Sequence, residues 1–322
     1  MSRVLGYLFV LIFILSLNFA LPRFLPGDPL TALVGEQDLI ISPEFRQELK
    51  QRYGLDQPLA HQFGQYLVRL LSCDLGYSFY HQAPVSAVIG PPLRWTALLC
   101  GASFLVSTIL GIWLGVELAV RRSRPWTAAV VGVCLVLASL PGFLLGMALL
   151  LGFSLKLGWF PFFGALDLVP QVSGSATWGS GILRHLALPA LTLVLAELPG
   201  VALLVRGSLL KVLQAPFVLA ARALGLTETR IKYRYQARNA LLPLITRLGL
   251  RFGLLWAGAV PVEVVFAYPG AGQLLFQALL KRDYPLIQGL LLVGILAVLA
   301  GNALAEWGYR LADPRVRSRT WY

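Results

Sequence analysis

The side chains able to do covalent or metal chemistry are sparse in this sequence and wrongly spaced for it. His61, His81 and His185 form no ligand pair at helical spacing, and Cys73, Cys100 and Cys134 lie far apart, two of them inside apolar runs. Neither a zinc-ligand pattern nor a disulfide framework results. No G-x-x-x-x-G-K-S/T phosphate loop, no H-E-x-x-H and no G-x-S-x-G occurs, so the local motifs of nucleotide, zinc and serine hydrolysis are missing. No catalytic residue and no metal ligand is assigned. An intramembrane enzyme with a site assembled from distant residues is the alternative from another class.

What remains is a set of carboxylates and prolines in apolar sequence. Glu263 sits in AVPVEVVFAYPG with no basic residue in the adjacent apolar sequence, and Glu197 lies beside Pro199. A carboxylate in hydrocarbon is expensive and by default faces a cavity or a partner. Each reads either as a pathway-lining group or as a cap on a neighbouring helix end. Glu117 and Glu306 lie nearer the ends of their runs and read as interfacial. Pro141-Gly142 and Pro199-Gly200 remove backbone donors in mid-run, which predicts helices kinked beside protein or a cavity. Glu263, Glu197 and Pro141 are the candidates for pathway or gating roles.

The elements that carry these residues are membrane helices. Of the 322 residues 57% are hydrophobic and 13% charged, where a soluble domain carries about 25% charged residues. Apolar runs cover Val4 to Leu21 and approximately 95–120, 126–155, 184–210, 241–264 and 285–309, each near the ~20 residues that cross a bilayer core. Six spans are expected. The first run lacks an A-x-A cleavage pattern and is read as a retained helix, not a signal peptide. The spacings Gly111/Gly115, Gly142/Gly146 and Gly249/Gly253 let helix backbones approach closely in a bundle.

Charge orients the bundle. Arg121, Arg122 and Arg124 occupy one turn, while Arg206, Lys211, Arg222, Arg230, Lys232, Arg234, Arg238 and Arg247 cluster between the fourth and fifth runs. Arg315, Arg317 and Arg319 close the tail. The segment from Pro22 to Leu93 instead holds seven acids against five bases. The positive-inside rule then places that segment outside and both termini in the cytoplasm, and it accounts for the net charge of +12 without a nucleic-acid surface. Within the outer segment a helix is expected from Ser42 to Gly54, and an amphipathic one from about Pro58 to Ser72. A platform lying on the outer membrane face fits them, with membrane lipid as a partner.

The cytoplasmic text QAPFVLAARALGLTETRIKYRYQARNALLPLITRLG has the strongest pattern. Pro216 starts a helix, Ala220, Ala221 and Ala223 keep it slim beside Arg222, and Gly225 stops it. Such a helix suits insertion into a cleft of another protein. The competing reading, an amphipathic helix on anionic lipid, has little apolar anchorage in the alanines.

The segment LAARALG...NALLP resembles the "EAA" loop of the inner-membrane permease subunits of bacterial binding-protein-dependent ABC transporters, with Leu219 where the eponymous Glu would stand. PGDP (Pro26–Pro29), YGLDQPL (Tyr53–Leu59), DLGYS (Asp74–Ser78), LGWFP (Leu157–Pro161), HLALPALTL (His185–Leu193), FAYPGAGQLL (Phe266–Leu275), RDYPLIQG (Arg282–Gly289) and DPR (Asp313–Arg315) occur in order along the chain. They are similar to the peptide, opine and nickel branch of that family.

The resemblance implies an all-α polytopic membrane protein, a type I ABC importer permease with six transmembrane helices and a cytoplasmic coupling helix. Residues 1–21 would form the first span, 22–93 the external segment, and 94–322 a five-helix permease core containing a coupling loop at 207–245. Pro216, Ala220, Ala221, Arg222, Ala223 and Gly225 would couple to an ATPase. The implied partners are a second permease subunit, expected to be a paralogue in a heterodimer, two ABC ATPase subunits and an external solute-binding protein, all at the bacterial inner membrane. This chain itself would bind no cofactor, ATP and Mg belonging to the ATPase subunits. Di- or oligopeptide is the first choice of substrate, with chelated nickel or another metal chelate as the alternative.

Overall fold

The computed structural model describes residues 2–24, 47, 56–164, 178–213 and 215–312. The helix expected over Ser42 to Gly54, apart from residue 47, and the motifs at Pro26–Pro29 and Asp313–Arg315, lie outside the described residues. Two compact units result: Met1–Trp95 with Gly270–Ile295, and Thr96–Pro269 with Leu296–Tyr322.

In the first unit, α1 (Ser2–Phe24) runs two residues past Pro22, where the apolar run ends. A proline costs an interior helix one backbone hydrogen bond, and here a side chain braces the last turn: Arg23 Nη1 donates to Phe19 O at 2.8 Å. The amphipathic helix α2 (Leu59–Leu71) forms where the periodicity places it. Its Phe63 and Tyr66 rings pack on Phe19 at 5.2 and 5.7 Å between centroids. Asn18 Nδ2 donates to Tyr66 Oη at 3.0 Å and to Gln288 O at 3.1 Å.

A two-residue hairpin, β1 (Tyr77–Ser78) and β2 (Ala83–Pro84), pairs antiparallel ahead of α3 (Val85–Val120). That helix starts ahead of residue 94, where the apolar run alone would begin the core, and it carries Pro91 and Pro92 inside it. The hairpin is held to the start of the last helix by Asp283. Its Oδ2 accepts Ser78 Oγ–H at 2.5 Å and Tyr80 N–H at 3.0 Å, while Oδ1 accepts Leu286 N–H at 3.3 Å. The last of these is a helix N-cap bond.

In the second unit, α4 (Pro125–Ser139) and α5 (Gly142–Leu149, continued by a π turn over Leu150–Lys156) are bent by 104° across Leu140-Pro141. Leu140 is extended, with φ −86° and ψ 131°, the conformation a following proline imposes. The predicted kink at Pro141 is therefore a full break. At Pro199 it is not: α6 (Trp178–Val212) is one helix with Pro189 and Pro199 inside it.

Helix α7 (Pro216–Ala223) follows. The turn Glu228–Arg230 and a π stretch over Ile231–Ala237 then lead into α8 (Arg238–Val265). The remaining helices are α9 (Ala271–Lys281) and α10 (Tyr284–Ala312). All six expected runs are helical, the run over 126–155 as two helices separated by the Leu140-Pro141 break.

Among the described residues Val85–Val120, Gly181–Val212 and Tyr284–Ala303 are long and apolar enough to cross a membrane, and the bent α4–α5 pair adds a fourth if counted as one span. The core of the second unit gathers Val116 and Ala119 of α3, Val201, Val205 and Leu209 of α6, and Leu244 of α8. The Gly111/Gly115 pair lets α3 and α6 meet. A Cβ at Gly111 would lie 2.6 Å from Val201 Cβ, and one at Gly115 would lie 2.6 Å from Ala202 O.

Candidate coupling surface and buried carboxylates

Helix α7 is short because both ends are specified. Ala215 is extended at φ −70° and ψ 142°, and Pro216 occupies the first turn, where a missing N–H costs nothing. At the other end Gly225 adopts φ +72°. Leu226 N–H donates to Ala221 O at 3.3 Å and Gly225 N–H to Arg222 O at 2.9 Å, the two bonds of a Schellman cap. Its usual apolar contact is also present, since Leu226 packs on the cluster of Val218, Ala221 and Ile231.

That cluster corrects one expectation about the surface. Ala221 is 3% exposed and lies three residues after Val218 on the stripe that covers Ile231, so its side chain faces this chain's own core. The outward face is larger and more apolar than the alanines alone suggest. Phe217, Leu219 and Leu224 are 41, 61 and 80% exposed, and exposed Ala220 and Ala223 lie among them. Arg222 is not free at this surface, because its Nε and Nη2 donate to the two Glu228 oxygens at 2.8 and 3.3 Å. The Glu228 carboxylate raises the Arg222 pKa through that bond.

The structure separates the two carboxylates that the sequence leaves alike. Glu263, on α8, is wholly buried and accepts the Thr96 hydroxyl of α3 at 2.5 Å. Its backbone carbonyl accepts the N–H of Tyr268 at 2.8 Å. Glu197 pairs with Arg251, whose Nη2 reaches the Glu197 carboxylate at 2.5 Å and its backbone carbonyl at 3.0 Å. The pair joins α6 to α8 across 54 residues of sequence, a distance at which no local pattern could reveal it. Pro141 stands at the α4–α5 break, on elements that carry neither carboxylate.

Asp283 is missed by sequence reasoning, although RDYPLIQG contains it. A usable signal was there: an Asp directly before a long apolar run is an N-cap pattern. Its tie to Ser78 also brings DLGYS and RDYPLIQG together in the first unit.

Two family profiles cover this chain: "Binding-protein-dependent transport system inner membrane component" matches residues 107–318, and the N-terminal component of the same system matches residues 1–100. The chain belongs to this family. It is a permease subunit of a binding-protein-dependent ABC importer, a transport component of the membrane. It is 37% identical over 318 residues to a putative peptide transport system permease protein of Brucella abortus (strain 2308), covering 98% of each chain. The di/tripeptide transport system permease protein DppB of Pseudomonas aeruginosa (strain UCBPP-PA14) is 36% identical, again over 98% of both. The glutathione transport system permease protein GsiC of Pectobacterium atrosepticum is 36% identical over 98% of this chain and 97% of its own. Among solved structures, an inward-facing MetNI methionine ABC transporter chain superposes with a TM-score of 0.53 at 19% identity, over 68% of this chain and 94% of that one. That likeness shows the type I importer permease fold.

Proposed function

We propose that this subunit forms, with a second permease subunit, the translocation pathway for di- or oligopeptides handed over by an external solute-binding protein. Two ATPase subunits dock on the surface around α7 and supply the ATP and Mg chemistry. The relatives named as peptide, di/tripeptide and glutathione permeases support the substrate class. Both termini and α7 lie on the cytoplasmic side in this reading, a placement supported by the Arg and Lys clusters. The observation that carries the coupling role is the exposed Phe217–Leu219–Leu224 face on a helix delimited at both ends.

Force has a continuous route from that face. The inward residues Val218 and Ala221 pack on Ile231, the first residue of the π stretch that runs into α8. Helix α8 carries both Arg251 and Glu263. A displacement of α7 by closing ATPase subunits is therefore passed to the helix that holds the Glu197 and Glu263 contacts, and a packed interface of this kind switches between discrete arrangements.

Uptake of labelled di- and tripeptides into vesicles containing the assembled complex tests the substrate. Transport of a nickel chelate with no peptide uptake would replace the peptide reading. Leu219→Asp and Leu224→Asp test the coupling face. Because both side chains point outward, the variants should fold, yet ATPase subunits should no longer co-purify. Ala221→Glu should act differently, disrupting the α7 cluster itself by burying an unpaired carboxylate. Normal co-purification and uptake in both Asp variants would remove the coupling role from this face.

A further inference from the structure

The first unit contains a cavity of about 410 Å³ between the end of α1, the polar side of α2 and the first turns of α10. Arg23, Arg69, Gln62, Gln65, Tyr66 and Gln288 supply its polar wall, and Phe19 and Leu292 contribute apolar surface. This volume lies in the range of small-ligand sites, about 300–1,000 Å³. Neither the coupling face nor the buried carboxylates of the second unit account for it.

The wall is cationic and rich in donors. Arg23 lies 3.5 Å over the Phe19 ring and donates to Phe19 O and to Gln62 Oε1, each at 2.8 Å. Both acceptors are neutral, so its charge is positioned but not cancelled. The ion pairs among the described residues include neither Arg23 nor Arg69. Asp74 is the carboxylate on the wall, and one of its oxygens is occupied by Gly76 N–H at 2.9 Å. Tyr66 Oη accepts from Asn18, which leaves its own proton to donate. Burial pushes the Tyr66 pKa upward, keeping that proton in place.

The height of the cavity narrows the choice of anion. Arg23 is the penultimate residue of α1, and Gln288 Nε2 reaches Phe19 O at 3.4 Å, so the end of one apolar helix and the start of another meet there. Further back along the α1 stripe that carries Phe19 and Arg23, Ile12 and Phe9 are 54 and 71% exposed. Guanidinium groups thus stand where apolar helix surface gives way to polar surface, with an exposed apolar flank further along α1. A soluble anion would use the donors and leave that apolar flank in water. A phospholipid uses both, its phosphate on the charged wall and its tails along α1.

We propose that this cavity binds the phosphodiester headgroup of a membrane phospholipid, with Arg23 and Arg69 as its charged donors. The site holds lipid in a fixed position at the junction of α1, α2 and α10.

The test uses the full chain in its assembled complex, stripped of lipid by detergent exchange and titrated with dioleoylphosphatidylglycerol under native mass spectrometry. Unmodified protein should retain phosphatidylglycerol, and dioleoylglycerol, with the same tails and no phosphate, should not compete for the site. Arg69→Gln, at an exposed side chain, should weaken retention about tenfold, as loss of one charge-assisted bond predicts. Arg23→Gln with Arg69→Gln should abolish it. A matching thermal melt for Arg69→Gln keeps misfolding from imitating the result. Equal retention in Arg69→Gln, or equal binding of dioleoylglycerol, overturns the proposal. Displacement of the lipid by inorganic phosphate would reassign the cavity to a soluble anion, and displacement by a tripeptide would make it a substrate subsite.

Discussion

Asp283 and Glu263 are both wholly buried carboxylates, and each accepts a hydroxyl at 2.5 Å, from Ser78 and from Thr96 respectively. They differ in what those bonds connect. Asp283, in the first unit, also takes the N–H groups of Tyr80 and Leu286, so it closes a hairpin and caps a helix. Glu263, in the second unit, meets the Thr96 hydroxyl on another long helix of the bundle. A carboxylate bonded to backbone donors is tied to the local fold, because those donors cannot move without moving the chain. The Thr96–Glu263 bond instead joins side chains of two long helices, α3 and α8. Burial alone therefore does not separate an architectural acid from one available for conformational change, and substitution at each position does.

The sharpest way to break this contrast is Asp283→Ala. It orphans two backbone N–H groups and the Ser78 hydroxyl at a buried site, at an expected cost of about 3 kcal/mol. The thermal melt of the purified complex should fall markedly, with yield reduced. A melt unchanged from the parent would show that the cap is dispensable and dissolve the distinction from Glu263.

Next in size is the pair Thr96→Val and Glu263→Gln. Removing the hydroxyl deprives the Glu263 carboxyl of one donor, at about 1–2 kcal/mol. The amide in Glu263→Gln can still accept from Thr96 through its Oε1, so that bond can persist in the variant. Uptake should nevertheless fall in Glu263→Gln with the complex assembled. Undiminished uptake across substrate concentrations would make Glu263 as purely structural as Asp283.

The half-buried pair comes third. Arg251→Gln leaves Glu197 with neither of the two contacts that Arg251 makes, one to its carboxylate and one to its backbone carbonyl. With the Glu197 side chain 27% exposed, water can compensate in part, and about 1 kcal/mol is expected. A double-mutant cycle with Glu197→Gln measures the coupling directly. Additive effects would mean that the pair does not join α6 to α8 energetically.

The division between what was legible in the sequence and what was not follows the reach of each interaction. Helix α2 and the two ends of α7 could be read because amphipathic period, Pro at the first turn and Gly after the last are properties of adjacent residues. The break at Pro141 was legible for the same reason. Its contrast with Pro199 was not, since a proline can sit within a continuous helix when surrounding packing supports it, as Gly111 and Gly115 against Val201, Ala202 and Val205 do along α6. The Glu197–Arg251, Glu263–Thr96 and Asp283–Ser78 contacts join residues 54, 167 and 205 positions apart, and no periodicity encodes such pairings. The inward face of Ala221 was hidden likewise, because it depends on Ile231 folding back over α7.

The smallest effect belongs to the exposed pair at the coupling surface, where Arg222 and Glu228 side chains are 48 and 70% exposed. Glu228→Gln should leave the melt of the complex unchanged, because exposed ion pairs are screened and each partner is solvated without the other. The sign of the pKa effect agrees. Glu228 raises the Arg222 pKa, so whatever stability it adds is fully present below the unfolded arginine value and is lost only above the raised one. Neither limit lies near neutral pH, and on this account no dependence on pH should arise from Arg222 between about 6 and 8. What the substitution does change is the guanidinium, which is freed to turn outward beside Phe217, Leu219 and Leu224. If the ATPase subunit meets this face chiefly through apolar contact, co-purification and stimulated hydrolysis should both survive in Glu228→Gln, and they should vary little with salt. A strong salt dependence that Glu228→Gln abolishes would place the ion pair, and not the apolar side chains, at the centre of docking.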